Sequence, residues 1–392
     1  MSNRILFIFN GLVKNEGKVG ISGGDIRLFE IIKNLDSSIK SDVYTTPNGC
    51  ELLEKLNVPY SEKYELKENV DSGIISNLRL ALRTLVTSPP GLKNYDGSVY
   101  SSCEHLYDVF PALKLKLFSG CKWYAVYHWV EDYPWREKRG DTPLLRRYLY
   151  WLNRWFSGAL IKYFADEILG VSDQTVNKLH DIKNIKSSKL RSVYCGVSFD
   201  MIQSVKNKYS TEKESKYDAV YMKRLNHGKG IFDLLEIWKM VCDTSPEAKL
   251  AIIGDGSPEI VADIKKFIVD NKLSKNIDLL GVVYDFEEKF RLLNSSKLFI
   301  LPTHEENWAI VIGEAMAVEL PVIVYRLKEI EPIWKDNVTW INAGDTKAFA
   351  DSIIEQLTSP DLRKAFSQKA VNFIRQYDWK LIAKNEFQDV SK

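Results

Sequence analysis

The sequence predicts two α/β domains in tandem, each a doubly wound parallel sheet. Short apolar runs alternate with longer runs of helical periodicity, and this alternation occurs twice. A polar, charged stretch without apolar periodicity, Lys206–Lys216, separates the two series as a linker. The length of 392 residues agrees with two to three domains at roughly 150 residues each.

In the first series the strand candidates are Ile5–Phe9, Asp42–Thr45, Ser98–Ser101, Trp123–Tyr127, Glu167–Val171 and Leu190–Tyr194. Helical patterns run over Arg27–Leu35, Ile75–Leu85 and Leu106–Phe118. In the second series the strands are Ala219–Met222, Lys249–Ile253, Ile277–Leu280, Leu298–Leu301, Pro321–Tyr325 and Val338–Ile341, with helices at Phe232–Cys242 and Ile260–Asn271. The domains are expected at 1–205 and 217–376, with 206–216 as the linker. Residues 377–392 are expected as a terminal helix that packs back toward the first domain.

Composition excludes several classes. Apolar residues make up 45% and charged residues 27%, and 54 basic side chains against 52 acidic ones leave a net charge of +2. Such a balance excludes a disordered chain and argues against nucleic-acid binding. The five cysteines are scattered without a C-x-x-C pair, so no disulfide framework or zinc site is signalled. Reduced thiols fit the cytoplasm. The apolar run Ile5–Phe9 is too short for a signal peptide, and no window is apolar enough for a spanning helix.

The common nucleotide and hydrolase signatures are missing. There is no G-x-G-x-x-G, no phosphate loop ending in Lys-Ser/Thr, no G-x-S-x-G elbow and no H-E-x-x-H helix. His304-Glu305-Glu306 lacks a second histidine at helical spacing and is not a zinc motif.

Leu298–Tyr325 carries more weight, because it reads strand, loop, helix, strand. Glu306 falls in the loop at the carboxyl end of a strand and Glu314 on the following helix, eight residues on. Ligands of open α/β sheets bind outside the carboxyl ends of strands, and the first amides of such a helix, from Trp308, Ala309 and Ile310, favour an anion. Taken alone, the two glutamates could equally be a helix-start charge and a solvated one.

Tyr217–Gly230 is a strand ending in Arg224, with Lys229-Gly230 leading into a helix. Two cations at a strand end can stabilise a diphosphate leaving group without a metal. Either one alone would read as a surface charge. The Gly23-Gly24 pair at a helix start lets backbone approach a phosphate, although it is also plain turn chemistry. His128 ends a strand and is followed by Trp129, Glu131 and Asp132, a polar ring that can hold a sugar hydroxyl.

Together these residues resemble glycosyltransferase family 4, retaining enzymes of the two-domain GT-B architecture, within the glycosyl transferases group 1. The matches are Gly23-Gly24, His128, Ala165–Ser172, Gly196–Asp200, Arg224 with Lys229, Ile253–Gly256, Gly281–Val283, the Glu306/Glu314 segment and Asp378-Trp379. They run collinearly over nearly the whole chain. Departures lie at Glu306-Asn307-Trp308-Ala309, where the family usually has Glu-Gly-Phe-Gly, at Gly313, where an aliphatic residue is usual, and at Met222-Lys223, where glycine is usual.

The resemblance implies two Rossmann-like domains facing each other across a cleft, and a hexosyltransferase acting on a nucleotide-diphosphate sugar. It implies that Glu314 bonds the ribose, that Val282 and neighbouring backbone meet the base, and that Arg224, Lys229 and the Gly24 loop hold the diphosphate. Glu306 and His128 would hold the donor sugar, with Asn307, Trp308, Ala309 and Ile310 completing the donor loop. The implied mechanism is front-face attack with no metal and no cofactor beyond the donor substrate. The acceptor would be a glycan or a lipid-linked acceptor. The alternatives are a nucleotide-sugar epimerase or hydrolase of the same architecture, and a non-catalytic homologue serving as a partner subunit.

Pro143–Phe164 is basic and aromatic and contains no acidic residue. Such a helix can lie in a membrane interface; it can also pack on the first sheet with a basic rim. On the first reading the chain sits at the inner face of the cytoplasmic membrane as a peripheral protein.

Overall fold

In the computed structural model, which describes residues 3–15, 18–68, 73–130, 133–135, 144–209 and 215–388, the chain divides into two units. Met1–Cys195 and Trp379–Lys392 form the first, and Gly196–Asp378 the second.

The first unit is built on seven strands. From edge to edge they run Glu62–Glu65, Lys40–Thr45, Arg4–Phe9, Ser98–Ser101, Trp123–Tyr127, Glu167–Gly170 and Leu190–Ser192. Every pairing in this sheet is parallel. The chain winds one way from Arg4–Phe9 and the other way from Ser98–Ser101, so the carboxyl ends of these two strands mark the switch point. Ile5–Ile8 are wholly buried, as expected of a strand covered on both faces. Glu62–Glu65 escapes the apolar pattern because it is a charged edge strand, the kind that resists pairing with other chains. A short antiparallel pair, Lys14–Asn15 with Lys18–Val19, also lies outside that pattern.

The first helix starts at Gly23, four residues before the periodicity becomes visible at Arg27. The Ser22 hydroxyl accepts the Asp25 amide and the Asp25 carboxylate accepts the Ser22 amide, a closed capping box. The terminal helix Trp379–Glu386 belongs to this unit. The Glu386 carboxylate pairs with the Arg27 guanidinium and accepts the Tyr100 hydroxyl at 2.7 Å, and both charged side chains are 1% exposed.

The second unit carries six parallel strands in the order Ile277–Gly281, Leu250–Ile253, Tyr217–Met222, Ser296–Leu301, Val322–Arg326 and Thr339–Asn342. Its switch point lies between Tyr217–Met222 and Ser296–Leu301. The helix Phe199–Lys208 also belongs here. Lys206–Lys208, which composition places at the start of a linker, close this helix. Phe199, Ile202 and Val205 face inward, Lys206 pairs with Glu319 at 2.6 Å, and the Gln203 amide donates to Ala317 O at 2.6 Å. Of the expected linker, residues 210–214 lie outside the described residues.

Candidate active site

The two loops leaving the switch-point strands of the second unit bring together a group of charges. Glu306, 6% exposed, offers Oε1 to Lys223 Nζ at 2.9 Å and to Lys229 Nζ at 3.4 Å. Thr303 Oγ1 stands 3.4 Å from the same oxygen. Lys229 Nζ also donates to the Glu305 carbonyl at 2.5 Å.

The backbone fixes Lys229. Asn226 Oδ1 accepts its amide at 2.9 Å, and the Tyr221 hydroxyl donates to its carbonyl at 2.9 Å. The next residue, Gly230, has φ +72°, and a Cβ there would lie 1.6 Å from Pro302 O. Only glycine lets the two loops close to this distance.

These contacts set the ionisation of the site. Burial pushes the Glu306 carboxyl up, but Lys223 and Lys229 outweigh it and hold it below the usual carboxylate range. Burial lowers the Lys229 ammonium, Glu306 opposes that and Lys223 adds to it, and the balance lies below an ordinary lysine. Arg224 is exposed and makes no hydrogen bond or ion pair among the described residues. The site thus has two ammoniums closed on the Glu306 carboxylate, the Glu305 carboxylate 3.7 Å from Lys229 Nζ, and an uncommitted guanidinium beside them. Lys223 is the residue that the motif reading passed over, because it stands where the resembled pattern has glycine; the signal was its place next to Arg224.

Glu314 lies on the helix Ile310–Ala317, and its Oε1 pairs with Lys289 Nζ at 2.8 Å. Ala309, the residue before that helix, is left-handed at φ +61°, a conformation costing about 1–2 kcal/mol for a residue with a side chain. The glycine of the resembled pattern avoids that cost. Trp308 turns its ring into the core against Trp334 and Tyr377, and its carbonyl accepts the Trp334 indole N–H at 3.0 Å. Its side chain anchors the loop, so only its backbone is available to a ligand. A Cβ on Gly313 would lie 2.9 Å from Ile374 and 3.0 Å from Val197. Close packing of this helix accounts for a glycine that propensity alone disfavours. Asn307 and Ile310 are half-buried, and Val282, just past Gly281, is exposed.

Three of the sequence-predicted residues lie in the first unit. Gly23 and Gly24 form the first turn of their helix. A Cβ on Gly24 would stand 3.0 Å from the His128 ring, so glycine brings this backbone against the imidazole. His128 Nε2 lies 2.8 Å from the Ser102 carbonyl. A carbonyl only accepts, so this nitrogen carries the proton. Burial lowers the His128 pKa more than nearby Glu104 raises it, so the ring is neutral at pH 7. The buried Glu104 accepts the His128 amide at 3.2 Å and faces Arg154 Nη1 at 3.5 Å. Glu104 had no sequence signal, being a single acid in a loop. Glu131 and Asp132 lie outside the described residues. Among the described residues, no group of three or more His, Cys, Asp or Glu is arranged to hold a metal ion.

Two Rossmann-like parallel-sheet units in one chain match the GT-B architecture, and the charged loops of the second unit leave its switch point, the place where open α/β sheets generally bind ligands. Residues 203–373 match the family described as glycosyl transferases group 1. The capsular polysaccharide biosynthesis glycosyltransferase CapM of Staphylococcus aureus is 24% identical over 212 residues, 52% of this chain and 55% of that protein. The phosphatidyl-myo-inositol mannosyltransferase of Mycobacterium leprae is 28% identical over 158 residues, 40% of this chain and 41% of that protein. The chain thus spans about half the length, or less, of these curated relatives. The crystal structure of Anabaena Alr3699/HepE in complex with UDP and glucose matches with a TM-score of 0.72 over 99% of both chains at 17% identity, a likeness of fold.

Proposed function

We propose that the chain is a retaining hexosyltransferase that uses a nucleotide-diphosphate sugar, needs no metal and acts on a glycan or lipid-linked acceptor. The observation that carries this reading is the group Lys223, Arg224, Lys229 and Glu306 at the switch point of the family-matched unit. A departing diphosphate gains charge as the glycosidic bond breaks. Arg224 and Lys229 meet it as preorganised cations. Glu314 binds the ribose, with Val282 near the base. Glu306 and His128 hold the donor sugar, and Gly23, Gly24 and the amides of Asn307, Trp308, Ala309 and Ile310 line the donor. A carboxylate clamped between two ammoniums is a poor nucleophile, which favours front-face attack over a covalent glycosyl-enzyme. The relative named for capsular polysaccharide synthesis and the fold neighbour that holds UDP and glucose support the same reading.

A thermal-shift panel of UDP, GDP, ADP and their sugars tests it. A ligand at 100 times its Kd stabilises by about 2.7 kcal/mol, and one base is expected to stand out. If none stabilises the protein, the donor site is misassigned. Turnover is expected to survive EDTA; activity lost on chelation and restored by magnesium or manganese would end the metal-free reading.

Peripheral membrane contact through residues 143–164 is part of the proposal. Of the helix Leu144–Phe164 only Ser157, Gly158 and Ile161 are fully buried, while Leu145, Leu152, Trp155 and Tyr163 are exposed. Pro143 lies outside the described residues. A second acid-free helix, Ile74–Val86, exposes Ile75, Leu82 and Val86. Both pack on the helix Leu106–Ser119. No helix among the described residues is long and apolar enough to cross a membrane. Arg154, which the sequence counts with the basic face, turns inward to Glu104, so Arg146 and Arg147 carry the test. The protein is expected to float with anionic liposomes, and Arg146→Gln with Arg147→Gln to reduce that flotation. A wild-type protein that stays at the bottom of the gradient removes the membrane from the proposal.

A further inference from the structure

We infer that Lys289 is a positioning residue for nucleotide recognition: it holds the Glu314 carboxylate ready for the ribose, and so sets the preference for a nucleotide that carries ribose hydroxyls. The inference rests on the reading of Glu314 above and adds the residue through which it works. Lys289 lies in the helix Phe286–Asn294, which follows the loop that begins at Val282. The strand before that loop, Ile277–Gly281, is the edge of the second sheet, and Leu250–Ile253 separates it from Tyr217–Met222, whose loop carries Arg224 and Lys229. Lys289 thus enters from the loop assigned to the base, and not from the loop whose cations are assigned to the diphosphate.

Glu314 needs such a partner. Its side chain is 13% exposed, and a carboxylate taken that far out of water costs free energy unless it is paired. Among the described residues Lys289 is its one side-chain partner: Nζ donates to Oε1 at 2.8 Å, and no bond reaches Oε2. Aromatic faces place the ammonium in turn, 4.5 Å from the Phe290 ring centre and 5.8 Å from that of Phe286. The flexible lysine stem is thereby fixed, and with it one oxygen of the glutamate. A glutamate fixed before the ligand arrives loses less side-chain freedom on binding, so Oε2 meets a ribose hydroxyl at a smaller entropic cost.

The test is calorimetry on the full chain with UDP and 2′,3′-dideoxy-UDP, and in parallel with the same pairs for GDP and ADP. In one series wild type is expected to bind the ribonucleotide about 10- to 150-fold more tightly than its dideoxy analogue, the range of one charge-assisted hydrogen bond. Lys289→Met is expected to lose most of that preference by weakening the ribonucleotide alone. Lys289→Arg, which keeps charge and donors, is expected to retain most of it and keeps the inference testable if the first variant fails to fold. A Lys289→Met variant with the wild-type preference, or with tighter ribonucleotide binding, overturns the inference. So does one that loses both ligands alike, since Lys289 would then serve the base, the phosphates or the fold. A Lys289→Arg variant that binds the two ligands equally overturns it as well. In these cases the wild-type preference leaves Glu314 on the ribose. Wild type that binds nucleotide but ignores the ribose hydroxyls overturns both the role of Glu314 and the inference, and wild type that binds no nucleotide overturns the donor site itself.

Discussion

Lys229→Ala and Arg224→Ala are each expected to slow single-turnover transfer by on the order of 100- to 1000-fold, the usual loss for one preorganised electrostatic contact. Their side effects differ. Arg224 is exposed and holds no partner among the described residues, so its loss is expected to leave stability within about 0.5 kcal/mol. Lys229 is half-buried and bonded to Glu306 and Glu305, so its removal also lowers the melting temperature. The ionisation of Lys229 adds a pH signature. Its ammonium is lowered from the ordinary value of 10.5, and only the charged form stabilises the leaving group. The rate is therefore expected to fall as pH rises through a value below 10.5, and the alkaline limb to move upward in Lys229→Arg. Single-turnover rates near wild type in both alanine variants remove these residues from the mechanism.

Glu306→Gln is expected to lower kcat and Glu314→Gln mainly to raise KM. Ribose is remote from the bond that breaks, so its contact is alike in ground and transition states. The donor sugar changes charge and shape, so its contact is not. A charged hydrogen bond contributes roughly 1.5–3 kcal/mol, about 10- to 150-fold. Free nucleoside diphosphate is expected to bind Glu306→Gln nearly normally and Glu314→Gln more weakly. Each change also unpairs one lysine: Lys223 in the first, where Lys229 keeps Glu305, and Lys289 in the second. Melting temperatures must be read alongside the kinetics. The opposite order in calorimetry means that the roles are exchanged.

Both sheets were legible because their central strands are buried on two faces and appear as unbroken apolar runs, as at Ile5–Phe9 and Leu298–Leu301. Glu62–Glu65 was not, because an edge strand needs charge and offers no apolar period. The extent of the helix Phe199–Lys208 was hidden by its lysine-rich outer face, which resembles a linker. At the candidate site, strand ends and helix starts are the features that singled out Arg224, Lys229, Glu306 and Glu314. Ion pairs between loops leave no periodic trace, so the partnership of Lys223 with Glu306 and of Lys289 with Glu314 had to come from coordinates. Arg154 misled for the same reason: a basic residue on a basic helix gives no hint that it turns toward Glu104.

The burial of Arg27 against Glu386 sets an order of events during synthesis. The partners are 359 residues apart, a delay of roughly 20–70 s at about 5–20 residues per second. All of Gly196–Asp378 emerges within that interval. The unit that begins first is therefore the one that finishes last: its nascent sheet waits with an unneutralised guanidinium while the inserted unit has its whole sequence. An uncompensated buried charge costs about 3–5 kcal/mol, so the early unit reaches its full stability only after Glu386 has been added.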